Sequence, residues 1–149
     1  MERQEASEDA VMTRIGQAVM LLHGGDREEA RNRFGDLWTE IGEAGDALHR
    51  CTLAHYMADT QDDPGDELAW DLRALTAADG TARPDASPAV RAFYPSLHLN
   101  LAADYVKLQR PEAARLHLDR ARAAADALGD DGYGYGVRVA IDRLARRLA

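Results

Sequence analysis

Lysine is nearly missing from this 149-residue chain: Lys107 is the only one among 18 basic residues, the rest being arginine. With 26 acidic residues the formal net charge is -8. Such a chain lacks the basic footprint that nucleic acid or an anionic lipid surface selects, so neither is expected as a partner. There is a single cysteine, Cys51, so no internal disulfide can form and no oxidising compartment is implied. Aromatic residues make up only 6% of the chain against 46% hydrophobic residues, which leaves Ala, Leu and Val to build the core. Long apolar runs are absent, so no membrane span is expected. The opening residues Met1 to Asp9 carry no apolar segment of the kind a signal peptide needs. A cytoplasmic location is the default expectation.

What is abundant is alanine, the strongest helix former and small enough to let helices cross closely. The alanines recur in register. Leu101-Ala102-Ala103-Asp104-Tyr105 is followed by Ala114, Leu118 and Ala121, with Gln109-Arg110-Pro111 as the turn between. Pro111 suits the first position of a helix. Near the N-terminus, Gly24-Gly25-Asp26 is a turn, and Ala30 and Phe34 repeat the small-then-large step. Ala18 precedes Ala30 by the same interval that separates Ala102 from Ala114. A weaker copy runs through Leu48, Ala54, Leu68, Trp70, Leu72 and Leu75. Small residues then fall at Ala18, Ala54, Ala102 and Gly136.

This pattern of helix pairs resembles the tetratricopeptide repeat family, whose repeat is about 34 residues long. Ala102 stands where that family often has Gly, Leu118 where it has Phe, and His98 where a Trp often opens the repeat. The resemblance spans roughly Ala10 to Leu148. It implies an all-α, right-handed superhelical stack of about seven helices. Pairs are expected at about 8–43, 46–78 and 88–128, with an inserted Gly/Pro-rich loop at 78–88 and a capping helix at about 135–148. Asp63-Pro64 and Ser87-Pro88 read as helix starts. Pro95 is expected to kink or restart its helix, and Gly129 to end the sixth.

In such stacks the first helix of each pair lines a concave groove. The register implies that Met12, Ile15, Val19 and His23 line it from the first pair. Leu48, Cys51, His55 and Asp59 follow from the second, and Ser96, Leu99, Ala103 and Lys107 from the third. Family members that clamp a carboxylate use several basic residues there. Lys107 alone does not make such a clamp, so the groove reads as apolar with a polar stripe.

That stripe, Cys51, His55 and Asp59, lies on one helix face because each step is four residues. A His55–Asp59 hydrogen bond would orient the imidazole and raise its pKa, and an activated Cys51 thiol would complete a catalytic set. The plainer account is a buried cysteine beside a groove histidine. His49 lies about 200° from Cys51 around the helix, so the His49, Cys51 and His55 group does not make a metal site without help from His98 or His23. No metal or cofactor is expected.

The acidic run Asp59, Asp62, Asp63, Asp66, Glu67 departs from the calcium-loop pattern, with Trp70 in place of the closing Glu, and reads as a solvated turn. The segment Gly129 to Gly136 lacks the lysine of a phosphate loop and reads as a flexible connector, with Tyr133 and Tyr135 placed to close one end of the groove. Phe93, Tyr94 and Trp70 are expected in the core. Two functions remain open at this point. One is a protein-interaction module that binds an apolar or amphipathic segment of another protein, or of a second copy of the chain. The other is a small-molecule or catalytic pocket at Cys51, His55 and Asp59.

Overall fold

A computed structural model describes the backbone of residues 2–79 and 88–149, and the side chains of residues 10–78 and 88–149. Ser87 and most of the expected inserted loop lie outside the described residues. Every element is helical: α1 (Glu2–His23), α2 (Arg27–Ile41), α3 (Ala47–Asp59), α4 (Pro64–Asp79), α5 (Pro88–Lys107), α6 (Pro111–Ala123) and α7 (Gly132–Leu148), with a short 3-10 turn at Ala125–Ala127. No strand occurs among the described residues. Each helix packs on the next in sequence. In addition α1 touches α3, α3 touches α5, and α5 touches α7. The odd-numbered helices therefore form one continuous side of an all-α stack of adjacent pairs.

The starts follow from local chemistry. Asp26 and Asp46 cap α2 and α3 by accepting from the backbone N–H of Glu29 and His49. Asp63 Oδ2 accepts from Asp66 N at 3.1 Å and Pro64 opens α4, as Pro111 opens α6. The end of α3 is held from another element. The Thr60 carbonyl accepts from Arg31 Nε at 3.1 Å and from Arg27 Nη2 at 3.1 Å, both on α2. Asp62 pairs with Arg27 and lies 3.7 Å from Arg31.

Helices cross where alanine permits it. Ala18, Ala30, Ala54, Ala102, Ala114 and Ala121 are fully buried, with Phe34 and Leu118 beside them. Gly136 is different: it is exposed, and the buried glycine of α7 is Gly134. The apolar side chains gather in three neighbouring clusters. Phe34, Leu37 and Leu53 centre the first, Cys51, Ala74 and Leu97 the second, and Leu118, Ile141 and Leu144 the third. Each fully buried large side chain contributes about 1.5–3 kcal/mol.

Three local expectations need correction. First, the helix does not restart at Pro95, since α5 continues from Pro88 to Lys107. Second, α6 stops at Ala123, well before Gly129. The chain there turns extended so that Leu128 can enter the third cluster. Third, the glycine-rich segment is a connector only as far as Asp131, and from Gly132 it is the start of α7. Asp131 caps it, its Oδ1 accepting from Gly134 N at 2.8 Å. Glycine is required at 134 because a Cβ would stand 2.2 Å from the Gly129 carbonyl oxygen. Arg138 on the same helix donates to the carbonyls of Leu128 and Gly129 at 3.2 and 3.3 Å and so ties the turn to α7.

Candidate functional site

The side formed by the odd-numbered helices holds a groove of about 590 Å³ between α3, α5 and α7. Ala89, Ala92, Phe93 and Leu99 line it from α5, and Val137 and Ala140 from α7. Polar groups in this apolar wall are few. Asn100 Nδ2 lies 3.0 Å from His55 Nδ1. With the amide donating, Nδ1 is the acceptor nitrogen and the neutral ring carries its proton on Nε2. At the other end the Tyr133 hydroxyl shares a hydrogen bond with Ser96 Oγ, so α7 closes the groove by a side-chain latch.

His55 rests edge-on against Phe93 at 5.8 Å and Tyr56 at 5.0 Å. Burial lowers its pKa, and the charge of Asp59 offsets this only in part. That is opposite to the shift the sequence stripe implied. The physical reason is burial, which disfavours the charged ring by more than the Asp59 carboxylate favours it. Asp59 stands exposed farther along the rim, its own pKa raised by the surrounding protein.

The stripe also loses its thiol. Cys51 is buried among Ala54, Ala74, Ala78, Val90 and Leu97, and burial pushes it up to about 12. A thiol held that high is neutral at physiological pH and is no nucleophile. Cys51, His55 and Asp59 therefore share a helix but not a reacting centre.

The other expected groove residues divide by helix. His55, Ser96 and Leu99 line the groove. Ala103 and Lys107 continue α5 beyond it. Ile15 is buried in the first apolar cluster, with Val19 packed against that cluster, so neither presents a free groove face. Met12 and His23 are exposed on α1, away from the cavity. Leu48 packs into the second cluster. Tyr133 lines the groove, whereas Tyr135 points away and is 71% exposed. Phe93 lines the groove and also packs, partly buried, against the second apolar cluster. Trp70 is partly buried against Trp38 at 5.3 Å, and Tyr94 donates to the Ala78 carbonyl at 3.0 Å.

Sequence reasoning overlooked the polar floor next to the groove. Asn100 and Asp104 are one turn apart on α5, and Asp104 faces Glu67 and Asp71 of α4. Asp71 and Asp104 are both buried. Asp71 is pushed up to about 10, chiefly by burial and then by its hydrogen bond to Asp104. Asp104 is raised by burial to about 6, a rise the proton held on Asp71 moderates. Glu67 accepts from Lys107 Nζ at 2.8 Å. Two members of the acidic run, Asp59 and Glu67, thus turn toward this floor instead of serving only a solvated turn. A signal was present: Ser96, Asn100 and Asp104 recur every four residues within a helix that is otherwise apolar on that face.

His98 and His117 stack on one another with Nδ1 atoms 3.1 Å apart, and His117 stacks on Tyr105. They join neither His55 nor Cys51. A larger cleft, about 770 Å³, lies between α2, α3 and α4. Arg50 and Arg73 there stack on Trp38 and Trp70 at 4.1 and 4.3 Å. Glu67, Asp71 and Asp104 are not among its lining residues.

Among the described residues no helix is long and apolar enough to cross a membrane. Comparison with protein-family models, curated proteins and solved structures finds no match for the chain.

Proposed function

We propose that the chain is a protein-interaction module of the tetratricopeptide-like kind, which takes an amphipathic segment of a partner protein into the groove between α3, α5 and α7. The observation that carries this reading is the groove's make-up: a mainly apolar trough with one amide–imidazole pair on its floor and a tyrosine latch at its end. An apolar anchor of the partner fills the space over Phe93, Leu99 and Val137. The Asn100 amide and the His55 Nε2–H meet backbone or side-chain polar groups. Asp59 at the rim and the net charge of -8 favour a segment with a basic residue next to its anchor. The cytoplasm, where Cys51 stays reduced, is the compartment that fits.

The test is selection of peptides from a random display library, with affinities then measured by fluorescence polarisation. Selected peptides should share an apolar anchor flanked by a basic residue. Leu99→Asp should weaken them by about 2 kcal/mol or more, the loss typical of a central anchor contact. His55→Ala should weaken them less. Peptides that bind Leu99→Asp as well as the parent, with its helix content intact, would place the binding surface elsewhere.

A second reading, a small-molecule pocket, draws on the His55–Asn100 pair and on a volume within the usual range for ligand sites. Native mass spectrometry separates the two. A small molecule retained by the parent and lost in His55→Ala supports the pocket, and a stoichiometric polypeptide supports the module.

A further inference from the structure

Three acids that a docked segment does not need converge between α4 and α5. Glu67 and Asp71 stand one turn apart on α4, and Asp104 faces them from α5. Each offers a carboxylate oxygen, and the three oxygens all lie within 4.8 Å of one another. Asp104 is only 2% exposed and Asp71 4%, while the Glu67 side chain is 18% exposed and opens the cluster to solvent.

Burial separates this group from a surface patch, because a carboxylate withdrawn from water costs several kcal/mol unless compensated. The compensation present is small. Among the described residues, Lys107 is the one cation bonded to the cluster, through Glu67. Asp59 adds a fourth negative charge that acts on both Asp71 and Asp104. His55, beside Asp59, is biased to neutrality by burial. Among the described residues, four carboxyl groups thus face one ammonium. A proton shared by Asp71 and Asp104 relieves part of the excess. The fully enclosed Asp104 Oδ2 has no hydrogen-bond partner beyond any such proton. An unused acceptor on a side chain 2% exposed, within a cluster that holds two other carboxyl groups, is the second sign of a missing positive group.

We propose that Glu67, Asp71 and Asp104 bind one hard divalent cation of the Mg²⁺ or Mn²⁺ class. The donors are all oxygen, with no thiolate or imidazole converging on them among the described residues, which suits these ions rather than zinc or copper. Octahedral bonds of about 2.1 Å place neighbouring ligand oxygens about 3 Å apart and opposite ones about 4.2 Å apart. Three oxygens already within 4.8 Å reach that spacing by a small contraction. Water fills the remaining positions through the open Glu67 side. Lys107, whose side chain is 53% exposed, swings into solvent as the ion takes Glu67. The site stands on its own geometry and does not depend on what occupies the groove.

The probe is Mn²⁺, titrated into the full chain after stripping with chelator, with free ion followed by electron paramagnetic resonance and thermal unfolding read in parallel. One Mn²⁺ per chain should bind, and the unfolding temperature should rise by several degrees over the chelated protein. Asp104→Asn keeps the side-chain shape and should weaken Mn²⁺ by about ten-fold or more. Lys107→Met removes the competing ammonium and should tighten it. A parent protein that leaves Mn²⁺ free at millimolar concentration, with the same unfolding temperature in chelator, overturns the proposal and leaves a proton as the only occupant. Binding that Asp104→Asn leaves unchanged, with normal helix content, also overturns it.

Discussion

Gly134 and Gly136 sit two residues apart in α7 and should respond to alanine with opposite signs. In a helix interior, Gly→Ala normally stabilises by about 0.5–1 kcal/mol, because alanine loses less backbone freedom on folding. At Gly136 nothing lies within 4 Å of a new Cβ, so the full gain is expected. At Gly134 the new methyl would meet the Gly129 carbonyl oxygen at 2.2 Å and the carbonyl carbon at 3.2 Å. Both are backbone atoms of the turn that Arg138 and Leu128 anchor, so they cannot rotate aside. Overpacking of this kind costs about 1–3 kcal/mol, which outweighs the helix gain. Gly134→Ala should therefore lower stability by about 1–2 kcal/mol and Gly136→Ala should raise it by up to about 1 kcal/mol. For a chain of this size each kcal/mol moves the midpoint by about 2–4 °C. Thermal melts followed by circular dichroism, with urea titrations as a check, read both shifts. Melting shifts of the same sign for the two variants would refute the argument, since they share a helix and a residue type and differ only in what surrounds the Cβ.

The other predictions concern titration and access. Burial lowers the pKa of His55, so the unfolded chain binds its proton more readily than the native one. Its contribution to stability is present above the unfolded value of about 6.5 and is lost as pH falls below it. The stability difference between parent and His55→Gln should accordingly change as pH falls from neutral to 5 in urea titrations, the parent losing more. A flat difference would mean the ring is not desolvated. Cys51, pushed up to about 12 and buried, should not react with a thiol reagent at mildly alkaline pH in native buffer, and should react promptly in denaturant. Prompt labelling of the native chain would show that the second apolar cluster opens readily.

The helix pairs were legible because their signals are local and redundant. Asp63-Pro64, the turn before Pro111, and the spaced alanines each act within a few residues. Side-chain facing was harder, since one residue of helix rotates a side chain by about 100°. Val11, Ile15 and Ala18 form the stripe of α1 that meets α2, and Ile15 belongs to it although its spacing also fits a groove stripe with Met12 and Val19. Cys51 sits one position from a groove-facing turn and falls inside. The sign of the His55 shift depended on burial by packed helices, and its partner Asn100 is 45 positions away, so no local pattern reports either. Pro95 and the glycines of α7 show the same limit. Each reads as a breaker by itself, yet packing holds the helix through it.

The latch of α7 on Ser96 also bears on how such a stack can change by duplication. A stack of repeats ordinarily gains binding surface when a pair is copied. Here one wall of the groove comes from α7 and the opposite wall from α3 and α5. A helix pair inserted between α6 and α7 would carry Tyr133, Val137 and Ala140 away from Phe93 and Leu99, and the groove would be dismantled rather than lengthened. Pairs can be added on the α1 side without touching it. The growth of this architecture is therefore polarised, with a fixed, grooved end and a free one.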